Sequence, residues 1–515
     1  LTSRFHLEGP ISRGKTTFIL GGRMTYSDWI LKRLPKDSNY YGGEAGFGDA
    51  NLGITHRFDE SNSLKFSAYW AKDRFAFSEG EDFNYSNMDA SLVWTHEFDE
   101  PSHSLKVTAA YDGFVNTFDI YQYMNDYSVT TNINQGSLKA VIKRPLGERH
   151  VLSYGVEGVL YALDPGIMKP LNDSSLVAPR SLSREYAVEA AAFASDTYSI
   201  SEQLSVETGL RLSGFMSASK FHFYGIPELR LSGKYSPKEN ISLKAGFNTL
   251  RQYIHLISNT SAISPMDTWK LSDASIKPTD GFQAALGGYW TSLDTGIDLS
   301  LETYWKNMYN YLDYKSGAEL TMNENLSDAL VPVKGRAYGV EFMVKKTTGR
   351  LSGWASYTYS RTLLREMTDR GVATINGGDW YQAPYDKPHD VKVALNYAFT
   401  HRYSLSLNLD YSTGRPVTIP IGSYIYDGGY RLAYSERNAY RIPDYFRLDA
   451  AINIDPGHYL KALTHSSITI GVYNVTGRKN PYSVYYTTDG GFVPNGYMVS
   501  VFATQIPYIN FNLIF

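Results

Sequence analysis

Tyr403-Ser404-Leu405-Ser406-Leu407-Asn408-Leu409-Asp410-Tyr411-Ser412 decides the fold. Tyr403, Leu405, Leu407, Leu409 and Tyr411 share one face, and Ser404, Ser406, Asn408, Asp410 and Ser412 share the other. A period of two puts successive side chains on opposite faces of an extended chain, so the stretch predicts an amphipathic β-strand. Both ends of its apolar face are tyrosine. A tilted strand needs about 9 to 11 residues to cross a bilayer, and amphipathic aromatics settle at the two water–hydrocarbon boundaries. Strands of soluble sheets are mostly shorter, about five or six residues.

The pattern recurs on both sides of that segment. Val391, Val393, Leu395, Tyr397 and Phe399 oppose Asp390, Lys392, Ala394 and Asn396. Ile297, Leu299, Leu301 and Trp305 oppose Asp298, Ser300, Glu302 and Lys306, and Phe446, Leu448, Ala450 and Ile452 oppose Arg447, Asp449 and Asn453. Leu105, Val107, Ala109 and Tyr111 oppose Lys106, Thr108 and Asp112. Connections alternate as well. Mostly short links fall near Ser12 to Gly14, Glu60 to Ser63, Leu146 to Glu148, Ser292 to Asp294 and Thr348 to Arg350. Longer ones alternate with them, among them Tyr121 to Gln135, Asp164 to Ser183, Ile254 to Asp280, Tyr309 to Val331, Leu363 to Lys387, Gly414 to Asp444 and Arg478 to Met498, while two on that second side, Phe77 to Phe83 and Met216 to Phe221, are short and break the pattern. Short turns at one end and long loops at the other are the layout of an all-β transmembrane antiparallel β-barrel, with turns in the periplasm and loops outside.

Composition removes the competing classes. The 515 residues carry 49 Lys+Arg against 52 Asp+Glu, a net charge of −3, which leaves no basic field for nucleic acid. The longest run of small apolar residues, Ala187 to Ala194, is broken by Glu189 and falls far short of the roughly 20 residues of a spanning helix. Cysteine is absent, so disulfides, thiolate metal sites and cysteine nucleophiles are excluded. Tyrosine stands at 42 residues, which suits a protein at an interface between water and hydrocarbon.

The segments number twenty-one, from Ser3–Ile11 to Tyr508–Phe515. The first and the last run in the same direction, so antiparallel closure calls for one strand ahead of Ser3, making twenty-two. Residues 1–515 then form an outer-membrane barrel domain incomplete at its N-terminus. A lumen of that width cannot be filled by wall side chains, and such barrels are plugged, so a plug domain is expected upstream.

Motifs in order along the chain carry a resemblance. Leu7-Glu8-Gly9-Pro10-Ile11, then Lys15-Thr16-Thr17-Phe18 and Gly22-Arg23-Met24-Thr25-Tyr26, resemble the first barrel hairpin of TonB-dependent outer-membrane receptors of Bacteroidota. Ile276-Lys277-Pro278 followed by Gly281-Phe282 is similar to that family's mid-barrel region, with Thr279 where Glu is usual. Tyr338-Gly339-Val340-Glu341 and Gly471-Val472-Tyr473-Asn474-Val475-Thr476 resemble later strands. Ile509, Phe511, Leu513 and Phe515 give the last strand one apolar face and a terminal aromatic, similar to the signal read by the barrel-assembly machinery. The resemblance implies TonB-dependent active import of a scarce nutrient: siderophore, corrinoid, small peptide or glycan. It implies as partners the chain's own plug, a TonB energy-coupling complex reached through an N-terminal segment, lipid and lipopolysaccharide, and a surface lipoprotein. A passive porin is disfavoured, since porins have about 16 to 18 strands. A receptor-like barrel serving as scaffold of a surface assembly is the other alternative.

No catalytic constellation is present. His-Glu-x-x-His, Gly-x-Ser-x-Gly and a phosphate-cradling Gly-rich loop are missing from the sequence, so neither an enzyme nor a metal or other cofactor is expected. His103, His401 and His465 fall in short turns and are expected to be solvated. Binding is assigned to the long loops. Trp269 with Met266, then Trp380, Tyr381 and Tyr385, then Tyr424, Tyr426 and Tyr430 are the candidate contacts, as faces that stack on a ring or a sugar and tips that hydrogen-bond. As loop residues, Trp380 and Tyr381 are expected to be dispensable for folding.

Overall fold

A computed structural model describes residues 2–25, 31–33, 43–76, 80–100, 102–218, 221–257, 268–292, 294–368, 373–426, 429–456, 465–487, 494–500 and 504–514. Alternation becomes one antiparallel sheet of 23 strands. Arg180–Ser181 and Tyr381–Gln382 are two-residue pieces laid on its rim, which leaves twenty-one long strands from Thr2–Ser12 to Ile506–Ile514. Each long strand pairs with its sequence neighbour in the sheet, the up-and-down order of a barrel wall. Thr2–Ser12 pairs only with Thr16–Thr25, and Ile506–Ile514 only with His465–Tyr473, so no ladder joins the first strand to the last among the described residues. Helix among those residues is confined to single turns such as Leu326–Ala329, and none is long and apolar enough to cross a membrane.

Register converts each strand's alternation into continuous faces. Tyr397 pairs with Leu405, Leu405 with Ile452, Ile452 with Ile470 and Ile470 with Ile509, an apolar row across five strands. One residue away, Ser406 bonds Asn396 at 3.2 Å, Asn453 donates to Ser406 at 2.7 Å, and Thr469 donates to Asn453 at 2.9 Å. The apolar rows are bare: Leu160 is 62% exposed, Leu286 61% and Leu301 56%. An exposed apolar belt of that extent marks a surface made for hydrocarbon. The hydrogen-bonded face lines the lumen. Between the two end strands each long strand has a ladder on both sides, which satisfies its backbone polar groups as a hydrocarbon solvent demands.

The two ends differ as their links foretell. Gly14, Gly147, Gly296 and Gly349 turn the chain at the short-link end with φ of +73°, +65°, +63° and +88°, a left-handed backbone that glycine adopts without a Cβ penalty. At the other end the strands run further than alternation indicates. Tyr127–Leu146 and His150–Pro170 reach 20 and 21 residues, so the predicted loop Tyr121 to Gln135 shrinks to residues 121–126. Strands that rise past the bilayer keep their ladder but no longer meet lipid, and the apolar face that identifies them in sequence stops. Three further long links carry hairpins of their own among the described residues. The link after Gln252 contains the hairpin Ile254–Ile257/Thr268–Leu271, the link after Ser412 contains Pro416–Val417/Tyr440–Arg441 and Pro420–Tyr426/Gly429–Tyr434, and the link after Tyr473 contains Pro481–Thr487/Asn495–Ser500.

Candidate functional site at the outer mouth

Three assemblies shape the mouth, and the first is an inward-folded hairpin. Phe215, Leu163 and Ala187 lie on the lumenal side of the wall, and Tyr253, Leu271 and Trp269 pack on them. Phe215 and Tyr253 stack at 4.4 Å with planes 4° apart. Phe114, on the lumenal face of another strand, meets Trp269 edge to face at 6.3 Å. Lys270 fixes the hairpin by donating to Glu185 at 2.7 Å and Asp273 at 2.9 Å. His255 contacts the Ser272 hydroxyl at 2.9 Å; burial, aided by the Lys270 charge, pushes its imidazole down to about 4. Hairpin Ile254–Ile257/Thr268–Leu271 therefore partly roofs the lumen.

Below it the wall carries a polar group that no loop motif announces. Arg211 bridges Glu157 at 2.7 Å and Glu189 at 3.1 Å, with Glu228 at 3.7 Å and Lys139 at 3.7 Å from Glu157. Tyr161 donates to Glu189 at 3.0 Å and Ser213 to Glu228 at 2.7 Å. Three carboxylates face two cations, so the patch keeps one formal negative charge beside hydroxyl donors. Its signal was present in the sequence as Glu189 interrupting an alanine-rich strand and as charges at lumenal parity, but parity alone does not bring five strands' residues together. Arg447 with Asp449, at 2.7 Å, extends the charged lining elsewhere on the wall.

The second mouth assembly locks two loops to the rim. Val331, Val333, Leu364, Ile375, Tyr381 and Ala383 form a buried cluster, with Val333 fully covered. Asp313 accepts the Tyr381 hydroxyl and, at 2.5 Å, the Arg437 guanidinium, which lies 4.1 Å over the Tyr314 ring. Asn376 and Arg437 exchange hydrogen bonds of 2.7 and 3.1 Å, and buried Asn438 donates to the Gln382 carbonyl at 2.8 Å. Arg441 pairs with the fully covered Asp386. Burial, with Asp313 beside it, drives the Tyr381 hydroxyl above its usual range. The Gly414 N–H holds the Asp444 carboxyl below its usual range, helped by the Tyr411 hydroxyl.

The third assembly is the exposed hairpin Pro420–Tyr426/Gly429–Tyr434, and it separates the candidate aromatics. Tyr424 and Tyr426, two residues apart on one strand, are 50% and 66% exposed, and Tyr385 is 53% exposed. The Tyr430 side chain, Met266 and Phe515 lie outside the described residues. Trp269 is half-buried in the hairpin's packing, and Tyr381 is buried, so the expectation that Tyr381 is dispensable for folding is corrected: it ties its loop to the Asp313 rim. Trp380 turns the opposite way to Tyr381 and stacks on Lys334 and Arg336 outside the wall, at 5.7 and 4.6 Å. His103 is likewise not simply solvated, since its ring stacks on Phe98 at 4.1 Å. No group of three or more histidines and carboxylates able to hold a metal occurs among the described residues.

The family model described as "TonB dependent receptor-like, beta-barrel" matches residues 10–475. No curated protein matches the chain. Among solved structures, the chain is similar to the ferric citrate transporter FecA in its unliganded form, at 15% identity and a TM-score of 0.67, with 99% of this chain and 74% of that one covered. It is similar to the ferric-catecholate import receptor Fiu of E. coli, at 13% identity and a TM-score of 0.66, covering 99% and 79%. It is also similar to the ferripyoverdine receptor of the Pseudomonas aeruginosa outer membrane, at 12% identity and a TM-score of 0.61, covering 99% and 69%.

Proposed function

The chain belongs to the family of TonB-dependent receptor β-barrels, proteins of the bacterial outer membrane, and on that premise we propose that it imports one scarce nutrient, with a siderophore-sized chelate as the first cargo to test. The observation that carries this reading is the lumen itself: a polar, ion-paired wall beneath an inward-folded hairpin and aromatic loops. Loops on a rigid barrel present groups toward a single opening, which is where a receptor captures dilute cargo. Exposed Tyr385, Tyr424 and Tyr426, with Tyr430 on the same hairpin, are the proposed cargo contacts; Trp269 acts through the hairpin roof, and Trp380 stands outside the entry.

In this reading the lumenal charges around Arg211 receive a plug domain of Bacteroidota type. A TonB complex pulls that plug to open a path. Corrinoids, small peptides and glycans fit the same route and differ only in which loop groups they meet. The test is uptake by a receptor-deficient host expressing the full-length protein. Ferric chelates, cobalamin, peptides and oligosaccharides are supplied singly. Accumulation of one of them that stops when TonB is deleted supports the proposal; accumulation indifferent to TonB would make the barrel a passive pore.

A further inference from the structure

Where the wall, the roof hairpin and the link of residues 315–329 meet, a small polar cavity measures about 20 Å³. A water molecule needs roughly 10 to 15 Å³, so the space takes one water-sized guest. Asn116 and Thr131, ladder partners on adjacent strands, line it from the wall, with Pro165 beside them. Thr268 lines it from the hairpin, and Thr321 and Met322 from the link. Three departures from regular backbone converge here. The ladder between Tyr127–Leu146 and His150–Pro170 shifts register between Thr130 and Asn132, which leaves Thr131 in a bulge opposite Pro165 and Gly166, and bulges re-aim side chains. Buried Met322 holds a left-handed backbone, with φ of +53°. Gly166 lies so close to the Met322 sulfur that a Cβ there would stand 2.7 Å from it. Strained backbone of this kind persists only where its surroundings fix it, and it gathers at ligand clamps.

The hydrogens around the cavity are already committed. Thr131 donates its hydroxyl hydrogen to the Pro165 carbonyl at 3.4 Å, and Thr268 donates to the Leu320 carbonyl at 3.3 Å. Both hydroxyls then have only lone pairs left to offer. Asn116 Oδ1 is buried without a hydrogen-bond partner, and an amide oxygen can only accept. Three oxygens with no hydrogen to give therefore belong to the lining of one water-sized space. A water molecule brings two hydrogens and leaves one of the three unanswered, which is costly for a buried acceptor. A cation answers all three. The Thr321 hydroxyl and the second lone pair of the Pro165 carbonyl extend the set of neutral oxygens. No lining residue is a carboxylate, the group on which divalent ions rely when they shed water, so the donor set selects a single charge.

We propose that this cavity binds one alkali metal cation, sodium or potassium, which staples the roof hairpin and the 315–329 link to the barrel wall. Neutral oxygen dipoles can replace the hydration shell of such an ion, as rings of carbonyls do in potassium-selective pores. Its ligands come from four separate stretches of chain, so the ion binds only while the hairpin and the link are both seated, and its binding free energy opposes their release. A donor set without histidine, cysteine or carboxylate leaves no motif in the sequence, which is why no metal was expected there. The inference is independent of what the lumen transports.

The experiment follows hydrogen exchange in full-length receptor in dodecyl maltoside. Sodium or potassium chloride replaces choline chloride, whose cation is too large for the cavity, at equal ionic strength. Exchange of Thr268–Leu271 and of residues 320–323 is expected to slow roughly tenfold once the ion that fits is present at about ten times its Kd, while Tyr403–Ser412 keeps its rate. Asn116→Leu/Thr131→Val, which removes two ligands at nearly constant volume, is expected to abolish that difference between salts. Heat-modifiable gel mobility checks its fold, and Thr131→Val alone replaces it if the double variant does not fold. Thr131→Ser, which keeps the hydroxyl, is expected to retain the difference. Equal exchange in choline, sodium and potassium would give the cavity to a water molecule and overturn the proposal. A salt effect that survives unchanged in the double variant would overturn it too, as would protection by calcium alone.

Discussion

Arg437 reaches the Asp313 carboxylate at 2.5 Å across 124 residues of sequence, and the Tyr381 hydroxyl donates to that same carboxylate. Both side chains of the ion pair are about nine-tenths covered. This single acid therefore joins three chain segments: the strand end at Tyr311–Tyr314, the link containing Tyr381 and the hairpin-bearing link that ends at Asp444. Removing one partner of such a pair strands the other charge, at a cost of about 3 to 5 kcal/mol.

Asp313→Asn should accordingly release both loops while leaving the wall intact. Hydrogen exchange should quicken at residues 373–388 and 413–444 and remain slow in Tyr403–Ser412. Tyr381→Phe, which removes only a hydroxyl bonded to a charged acceptor, should have a smaller effect of about 1.5 to 3 kcal/mol. Equal exchange in wild type and Asp313→Asn would show that the loops are held by their apolar cluster alone.

The wall makes a sharper, position-specific prediction. Leu407 faces out between Leu395 and Ala450, whereas Ser406 faces in and bonds Asn396 and Asn453. Arginine at Leu407 should cost roughly 2 to 4 kcal/mol near the bilayer midplane. Arginine at Ser406 loses only a hydroxyl network, about 1 kcal/mol, because lumenal water solvates the guanidinium. Refolding into bilayers across a urea series measures both; equal losses would mean that the strand does not face lipid, and a larger loss at Ser406 would mean that the faces are reversed.

Contact with lipid decides how much of the fold is legible in the sequence. Leu405, Leu407 and Leu409 disclosed their strand because lipid imposes an apolar side chain at every second position. His150–Pro170 hid its outer half because nothing imposes that rule above the bilayer. The hairpin Pro420–Tyr426/Gly429–Tyr434 hid inside a tyrosine-rich loop for the same reason. At the mouth, residue type alone could not tell Tyr381 from Tyr385. One is buried against Val333 and Leu364 and the other exposed, and that difference depends on partners as remote as Arg437. The Arg211 group was half legible, since parity assigned each residue a face but not its neighbours across five strands.

His255 makes the inward hairpin sensitive to acid. Burial lowers its imidazole from 6.5 to about 4, so the folded hairpin holds it neutral while an opened hairpin takes up a proton. The contribution to stability is present above about pH 6.5 and is lost progressively as pH falls toward 4, by on the order of 3 kcal/mol in full. Exchange of the amides in Ile254–Ile257 and Thr268–Leu271 should therefore quicken between those limits. His255→Gln, which has no titrating ring, should flatten the response. A wild-type hairpin equally protected at pH 7 and pH 4.5 would refute the linkage.

The exposed hairpin carries the last prediction, about cargo. Tyr424 and Tyr426 lie two apart on one strand, so their rings project from the same face, and both stand half or more in solvent. Rings left bare on an ordered hairpin have lost little entropy still to be lost on binding, and each stacked contact is worth about 0.5 to 1.5 kcal/mol. Tyr424→Ala/Tyr426→Ala should therefore weaken cargo affinity roughly tenfold. The barrel ladder is untouched by these residues, so heat-modifiable mobility should not change. Tyr385→Phe keeps the ring and removes the hydroxyl, and should weaken only a cargo that hydrogen-bonds there. The measurement is equilibrium binding to purified full-length receptor, with the cargo identified by the TonB-dependent uptake screen. If the double variant binds that cargo with unaltered affinity, the hairpin tyrosines are not contacts, and recognition has to be sought deeper, around Tyr161, Ser213 and the carboxylates facing Arg211.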